Sequence, residues 1–281
     1  MAQNYATVYQ SRVAERFKKG SITNAGAGND YKFTGAKTIV VQSVDVVALS
    51  DFNRTAGSNR FGSVANLGDT KQELTMSQDK SFAFAIDAGD ASDEVIDKNA
   101  GQALRREIDE VVTPTLDQYR LAQWATGAGT KVYSGSATAL TKSTILPAII
   151  KTCGEMSNAL VPEEGRVLYI PIANYQLLVQ ADAVVNLERL GNAAVEKGVV
   201  GIINNCKVIP VPDSWFPAGP AFMVKYKNCT VDPVKLANYY IRKDAQGFDG
   251  PVVEGRIYFD SFVLTAKNAG VATFTVGTAP A

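Results

Sequence analysis

The sequence predicts an α+β fold, and three observations predict it. From Glu73 to Asp87 apolar residues alternate with polar ones: Leu74, Met76, Phe82, Phe84 and Ile86 stand between Thr75, Ser77, Asp79, Ser81 and Asp87, the period of a half-buried strand. After Gly89 the period changes, and Val95, Ile96, Ala100, Leu104, Ile108, Val111 and Val112 follow helical spacing. Beyond Thr141 short helical and strand patterns mix, and the chain closes on β-rich segments.

Each element follows in order. Val8, Val13 and Phe17 predict a short helix in an N-terminal arm, and Gly20 to Asp30 reads as a flexible stretch. Lys37 to Leu49 is rich in β-branched residues and predicts the first strand of a hairpin, with a large polar tip over Asp51 to Asp69. The strand after Lys71 returns. Ser92 is a good N-cap, with Asp93 and Glu94 favouring the helix dipole, and Thr113-Pro114 is expected to kink or break the helix before it ends near Gly127. A Gly- and Ser-rich connection leads to a helix over Ser143 to Leu160, a buried strand over Arg166 to Pro171 and a helix over Asn174 to Val184. Val199 to Val211 predicts a strand pair turning at Asn204-Asn205, and Ala221 to Tyr226 a strand. The tail predicts strands in Leu236 to Arg242, Gly255 to Ala266 and Gly270 to Val276, and there is no internal repeat.

Reach is the informative quantity. The long strand would span roughly 50 Å and a helix from Ser92 to Thr126 roughly 50 Å. A compact chain of this length has a radius of gyration of only about 19 Å. Two such slender elements cannot both be covered by their own subunit, so the chain is expected to lie against copies of itself.

Composition narrows the chemistry. The chain has 281 residues, 46% of them apolar, enough for a real core. Lys plus Arg and Asp plus Glu stand at 28 each, so no net charge drives binding to nucleic acid or anionic membrane. There is no histidine, which removes Ser-His-Asp and Cys-His triads and most zinc sites. Cys153, Cys206 and Cys229 form no CxxC pair and are expected to be buried, reduced thiols. Met1 to Arg16 lacks the apolar region of a secretory leader, so the sequons at Asn53 and Asn228 carry no expected meaning, and no apolar run reaches membrane-spanning length.

Several residues carry weak chemical signals. Glu163 and Glu164 lie in a turn after Pro162, where a carboxylate pair can do acid/base work but usually points to water. Lys207 lies among strand residues, where a desolvated amine can be a nucleophile. Trp215 and Phe216 can stack on a base or sugar, and their flanking prolines fit better with a loop plugged into a core or a subunit contact. Gly26 and Gly28 lack the preceding strand and following Lys-Ser of a phosphate loop. Asp87, Asp90, Asp93 and Glu94 do not match calcium-loop spacing and read as helix capping. We therefore expect no catalytic, cofactor-binding or metal site.

The order of units, with Phe82-Ala-Phe-Ala-Ile-Asp87 leading into Asp93-Glu-Val-Ile, Tyr119-Arg-Leu-Ala-Gln-Trp124 and Gly255-Arg-Ile-Tyr-Phe-Asp-Ser-Phe-Val263, resembles the tailed-phage major capsid proteins of the HK97-like fold. The resemblance implies an N-terminal arm (1–30), a β-hairpin extended loop (31–88), a peripheral domain with the spine helix (89–140 and 229–281) and a mixed α/β axial domain (141–228). It implies hexamers and pentamers of an icosahedral shell around double-stranded DNA, bound without sequence specificity, assembled in the bacterial host cytoplasm and located in the virion capsid. A separate scaffolding protein, a portal and decoration proteins are the implied partners, with no membrane and no cofactor. Lys71 and Lys80 match no crosslinking pair of the family. An encapsulin-type compartment is the alternative with the same fold, and a histidine-free enzyme or ligand binder using Glu163, Glu164 or Lys207 is the alternative from another class.

Overall fold

The computed structural model describes residues 20–28, 37–55, 57–62, 64, 66–86, 100–181, 202–242, 247 and 250–279. The expected arm helix through Phe17, the Ser92 cap and the acidic group Asp87, Asp90, Asp93 and Glu94 lie outside the described residues.

The centre is a six-stranded mixed sheet of β4 (Thr130–Tyr133), β5 (Arg166–Pro171), β6 (Ile202–Ile203), β7 (Cys206–Val211), β8 (Pro220–Tyr226) and β13 (Val271–Thr275), ordered β4-β13-β8-β5-β7-β6. β5 pairs parallel with β7 and β13 parallel with β4, while the remaining pairs are antiparallel. Arg166-Val-Leu-Tyr-Ile170 is buried at every position, as expected of a strand covered on both faces. Leu168 and Ile170 join Phe222, Val224 and Phe274 under helix α3 (Ile145–Asn158), which contributes Ile145, Ile149 and Met156. Val167 and Tyr169 join Met223, Ile209 and Val271 on the other face, under Leu121 and Trp124 of helix α2 (Thr113–Thr126). Each such fully buried large side chain contributes about 1.5–3 kcal/mol of transfer free energy.

Sequence and structure agree on α3, on β5 and on the Asn204-Asn205 turn, whose φ values of 48° and 61° make the two-residue turn that joins β6 to β7. Helix α4 (Ile172–Val179) begins before the expected Asn174, and the residues after Ala181 lie outside the described range.

Four expectations are corrected. The long strand is two strands: β2 (Asp69–Thr75) pairs with β1 (Thr38–Val44), whereas β3 (Gln78–Ala85) pairs with β11 (Val252–Phe259) in a second sheet ordered β10-β11-β3, where β10 is Val234–Arg242. The alternation runs on through Met76 and Ser77 because both strands bury one face, so periodicity carries no mark of the change of sheet. The helix does not break at Thr113-Pro114. Helix α1 (Ala100–Glu107) passes through a π-helical turn (Ile108–Val112) into α2, and the Thr113 N–H reaches back to the Ile108 carbonyl. The wider turn lies just ahead of Pro114 and accommodates a ring that has no N–H to give. The Gly/Ser-rich connection contains β4, paired with β13 through backbone bonds that its composition does not signal. The stretch near Gly20 is no loose linker: Ile22, Thr23, Gly26, Ala27 and Gly28 are buried.

In the tail β11 stops at Asp260-Ser261, and β12 (Phe262–Val263) pairs with β9 (Thr230–Val231). β13 and β4 come from residues 229–281 and 89–140, and they complete a sheet whose other strands lie between 166 and 226.

One buried cation closes the end of α3. Arg166 is 1% exposed and donates to the carbonyls of Cys153 (3.0 Å), Val161 (2.6 Å) and Pro162 (2.9 Å) and to Ser157 Oγ (3.0 Å). It ties the loop carbonyls of Val161 and Pro162 back to the last turns of α3, close to a helix C-terminus, where positive charge is favoured. Arg166→Ala is expected to lower stability by about 3 kcal/mol, because several buried acceptors lose their donor. A urea midpoint within error of the parent would contradict that role.

Candidate functional site

The residues expected to carry weak chemical signals do not converge. Glu163, Glu164 and Lys207 are exposed. Trp215 and Phe216 pack against the core beneath α2, the plug that their flanking prolines predict. The three cysteines are free and buried. Among the described residues no cluster of His, Cys, Asp or Glu could hold a metal ion, and no helix is long and apolar enough to cross a membrane.

What the structure does build is a polar junction joining arm, helix and tail. On α2 the buried positions are Asp117, Arg120, Leu121 and Trp124, a helical stripe with two charged residues in it. The Asp117 carboxylate accepts from Ser21 Oγ (2.8 Å), the Ile22 N–H (2.8 Å) and Thr23 Oγ1 (2.5 Å). Arg120 donates to Thr23 Oγ1 (3.2 Å) and Asn24 Oδ1 (2.9 Å), and more weakly to the Asp232 carbonyl (3.4 Å). Its Nε is buried and has no hydrogen-bond partner among the described residues.

Asp232 is the hub. Its carboxylate accepts from the Gly28 N–H (2.9 Å), Thr230 Oγ1 (2.6 Å), the Trp124 indole N–H (2.9 Å) and Ser261 Oγ (2.5 Å). The Asp232 N–H in turn donates to the Gly28 carbonyl at 3.0 Å. Lys225 is fully buried, lies 4.1 Å from the centre of the Trp124 ring and donates to the Gly26 carbonyl. Burial pushes its pKa below the usual lysine range, opposed by the Asp232 charge. Burial likewise raises the Tyr169 phenol, whose hydroxyl lies 3.4 Å from the Thr23 carbonyl. A Cβ at Gly28 would overlap the Thr230 carbonyl oxygen, so the close approach of arm and tail requires glycine.

A second acidic hub fixes the place where the chain changes sheets. Asp260 accepts from the Ser77 N–H (2.7 Å), Ser77 Oγ (3.0 Å), Tyr119 Oη (2.7 Å) and the Ser261 N–H (2.8 Å). Burial and the bond to Asp260 raise the Tyr119 phenol. Just before the corner, Leu74 and Met76 are buried against Val231 and Leu264, and the Gln72 amide joins the Val263 carbonyl (3.0 Å) to the Thr265 N–H (2.8 Å). Just after it, Arg256 grips Asp79 with two bonds of 2.9 and 2.5 Å across β11 and β3, which holds the Asp79 carboxyl below its ordinary pKa.

The root of the hairpin is thus docked on its own body, and its far part is not. Beyond the root the chain carries Val46, Val47, Leu49, Phe52, Phe61, Val64 and Leu67, all exposed, with Leu49 and Val64 essentially uncovered at 103% and 97%. Phe52 and Phe61 meet edge to face at 5.0 Å, the N–H of Asn53 bonds the Arg60 carbonyl and that of Asp45 the Gly68 carbonyl, so the segment is shaped though uncovered. A run of apolar side chains bared to water marks an interaction surface. The polar tip expected over Asp51 to Asp69 is corrected by Phe52, Phe61, Val64 and Leu67, whose identities at least are visible in the sequence. The junction is not: Asp117 and Arg120 look like a solvated helix face until Ser21 to Gly28 is placed over them.

Asp232→Ala is expected to cost about 3 kcal/mol by leaving buried donors without an acceptor, and to expose residues 20–28 to protease before the sheet opens. Limited proteolysis with mass mapping checks this, and uniform loss of protection would contradict a local release. The Cys229 thiol is pushed up to about 11 from 9.0, chiefly by burial. The unfolded chain therefore deprotonates first, so this contribution to stability is complete below pH 9.0 and is lost as the pH rises to about 11. Denaturant midpoints measured across that window should fall more steeply for the parent than for Cys229→Ala, and parallel curves would refute the assignment.

No family model matches the chain, and no curated relative matches it. Solved structures do. The capsid structure of the cyanophage P-SCSP1u superposes with a TM-score of 0.78 at 15% identity, covering 98% of this chain and 94% of that one. The bacteriophage PhiM1 mature capsid gives 0.74 at 12% identity over 98% and 93%, and the capsid of Ralstonia phage GP4 gives 0.69 at 12% over 98% and 96%. Over almost its whole described length the chain is built on the HK97-like capsid fold.

Proposed function

We propose that this chain is the major capsid protein of a tailed bacteriophage, a structural subunit that self-assembles into hexamers and pentamers of an icosahedral shell enclosing double-stranded DNA. The observation that carries this reading is the apolar, uncovered loop between β1 and β2, carried on a fold shared end to end with phage capsid structures. A subunit that lives alone would not bare Val46, Leu49, Phe61 and Val64 to water. In a shell a neighbouring copy covers them, and the zero formal net charge leaves little repulsion between copies. The DNA inside is enclosed as a polymer and not read by sequence. The role in this reading is structural and not enzymatic, and the exposed Glu163, Glu164 and Lys207 take no part in it.

In this reading residues 1–30 are the arm, 31–88 the extended loop, 89–140 and 229–281 the peripheral domain with the spine helix, and 141–228 the axial domain, with β4 and β13 lent to the axial sheet. Subunits assemble in the bacterial host cytoplasm on a separate scaffolding protein, around a portal, and decoration proteins bind the finished shell in the virion.

The purified chain, with its scaffolding protein if required, should give hollow closed particles by electron microscopy. Monomers alone under those conditions would overturn the reading, and particles that carry a cargo enzyme in place of DNA-packaging partners would make it an encapsulin-type shell. The double variant Leu49→Ser, Val64→Ser should change the unfolding free energy of the isolated subunit by less than about 0.5 kcal/mol, since both side chains are already in water, yet abolish closed particles. Normal particles from that variant would show that the loop is not the contact.

A further inference from the structure

Cys153 on α3 and Cys206 at the start of β7 face each other between helix and sheet, Sγ to Sγ 3.5 Å, and both are buried. They come from positions 53 residues apart and meet at the end of the main sheet, where β6-β7 is the outermost hairpin. Cys229 sits in the cluster on the other face of the sheet and has no part in the pair. The surroundings are not purely hydrocarbon. The Arg166 guanidinium donates to the carbonyl of Cys153 itself at 3.0 Å, so a fixed positive charge lies beside the pair. The hydrogen bond from Cys206 and the Arg166 charge hold the Cys153 thiol down to about 7 from 9.0, and the same bond pushes Cys206 up. The Cys206 sulfur lies 3.5 Å from the carbonyl of Asn204, whose turn with Asn205 is exposed, and Ile202 on the same hairpin is 60% exposed, so the pair sits beneath an edge hairpin that faces solvent.

We propose that Cys153 and Cys206 form an oxidative modification site, at which a peroxide converts the two thiols to an intramolecular disulfide tying α3 to the end of the main sheet. A disulfide needs about 2.05 Å between sulfurs, so they must close by about 1.5 Å, a displacement open to two side chains when one sits on an edge hairpin. The Cys153 thiolate attacks one oxygen of the peroxide, the O–O bond breaks, and Cys153 becomes a sulfenic acid while the other oxygen leaves as water after taking up a proton. Cys206 then attacks the sulfenic sulfur, the S–S bond forms, and the sulfenic oxygen leaves with the Cys206 proton as a second water. Two thiols and one hydrogen peroxide give one disulfide and two waters; the sulfurs lose two electrons and the peroxide gains them. The closed loop joins distant positions and restricts the unfolded chain, so the oxidised protein resists unfolding until a thiol reductant reverses the bond. The site depends only on this chain's own fold, whatever the subunit assembles into.

The test uses the full chain and hydrogen peroxide. After stoichiometric treatment, unfolding in iodoacetamide should leave one alkylatable cysteine of the three, and non-reducing peptide mapping should join the Cys153 and Cys206 peptides with the loss of two hydrogen masses. The melting midpoint should rise and return with dithiothreitol. In Cys206→Ala the peroxide-treated chain should keep both remaining thiols or show sulfenic acid at Cys153, with no rise in the midpoint. The proposal is overturned if the parent retains three alkylatable thiols, if the linked peptides include Cys229, or if the link runs between chains.

Discussion

The fold rests on a single buried carboxylate, that of Asp232. A buried carboxylate is tolerated only when donors surround it, and four do: the Gly28 N–H, the Trp124 indole of α2 and the Thr230 and Ser261 hydroxyls. Every one of these donors would be orphaned without the acid, and the acid would be orphaned without them. That mutual dependence turns three segments distant in sequence into one body. Asp117 extends the same logic toward residues 21–23 and Asp260 toward Ser77, so three acids, one on α2 and two in the connections after β9 and β11, organise the parts that the apolar clusters leave loose.

The apolar clusters do the complementary task. The main sheet is covered by α3 on one face and α2 on the other, so its central strands β5, β8 and β13 are largely buried and set the positions of both helices. Because α2 is fixed against the sheet, Tyr119, Arg120 and Trp124 point to defined places and the polar hubs form between groups already held. The loop between β1 and β2 then leaves a rigid root, with Leu74 and Met76 sunk in their own cluster and Ser77 held by Asp260. Rigid root and uncovered tip together make a part that is ordered enough to be aimed and apolar enough to bind.

The elements legible in the sequence were those whose pattern answers to local physics. Helix α3 and strand β5 bury residues in the order that their periodicity announces, and the Asn204-Asn205 turn has the chemistry of a two-residue hairpin. What escaped depends on partners distant in sequence. The alternation from Leu74 to Ile86 is the same whether one strand or two bury that face, and only the separate pairing of β2 with β1 and of β3 with β11 divides it. The strand β4 has nothing in its composition to announce it and exists because β13 lies beside it. The junction was illegible for the same reason, since Asp117 and Arg120 on a helix look solvated when their acceptors and donors come from Ser21 to Gly28 and from Asp232.

The position of β13 has a consequence for the life of the chain on the ribosome. This strand is the last of the sheet to be synthesised, yet it lies second in spatial order, between β4 and β8. Until it emerges, β4 has no neighbour, the edge of β8 is bare and Phe222 lacks the ring of Phe274 stacked 4.9 Å away. Closing those contacts across so much chain is slow and cannot begin early. The main sheet therefore cannot be completed until residue 275 has been made, however early its other strands pair.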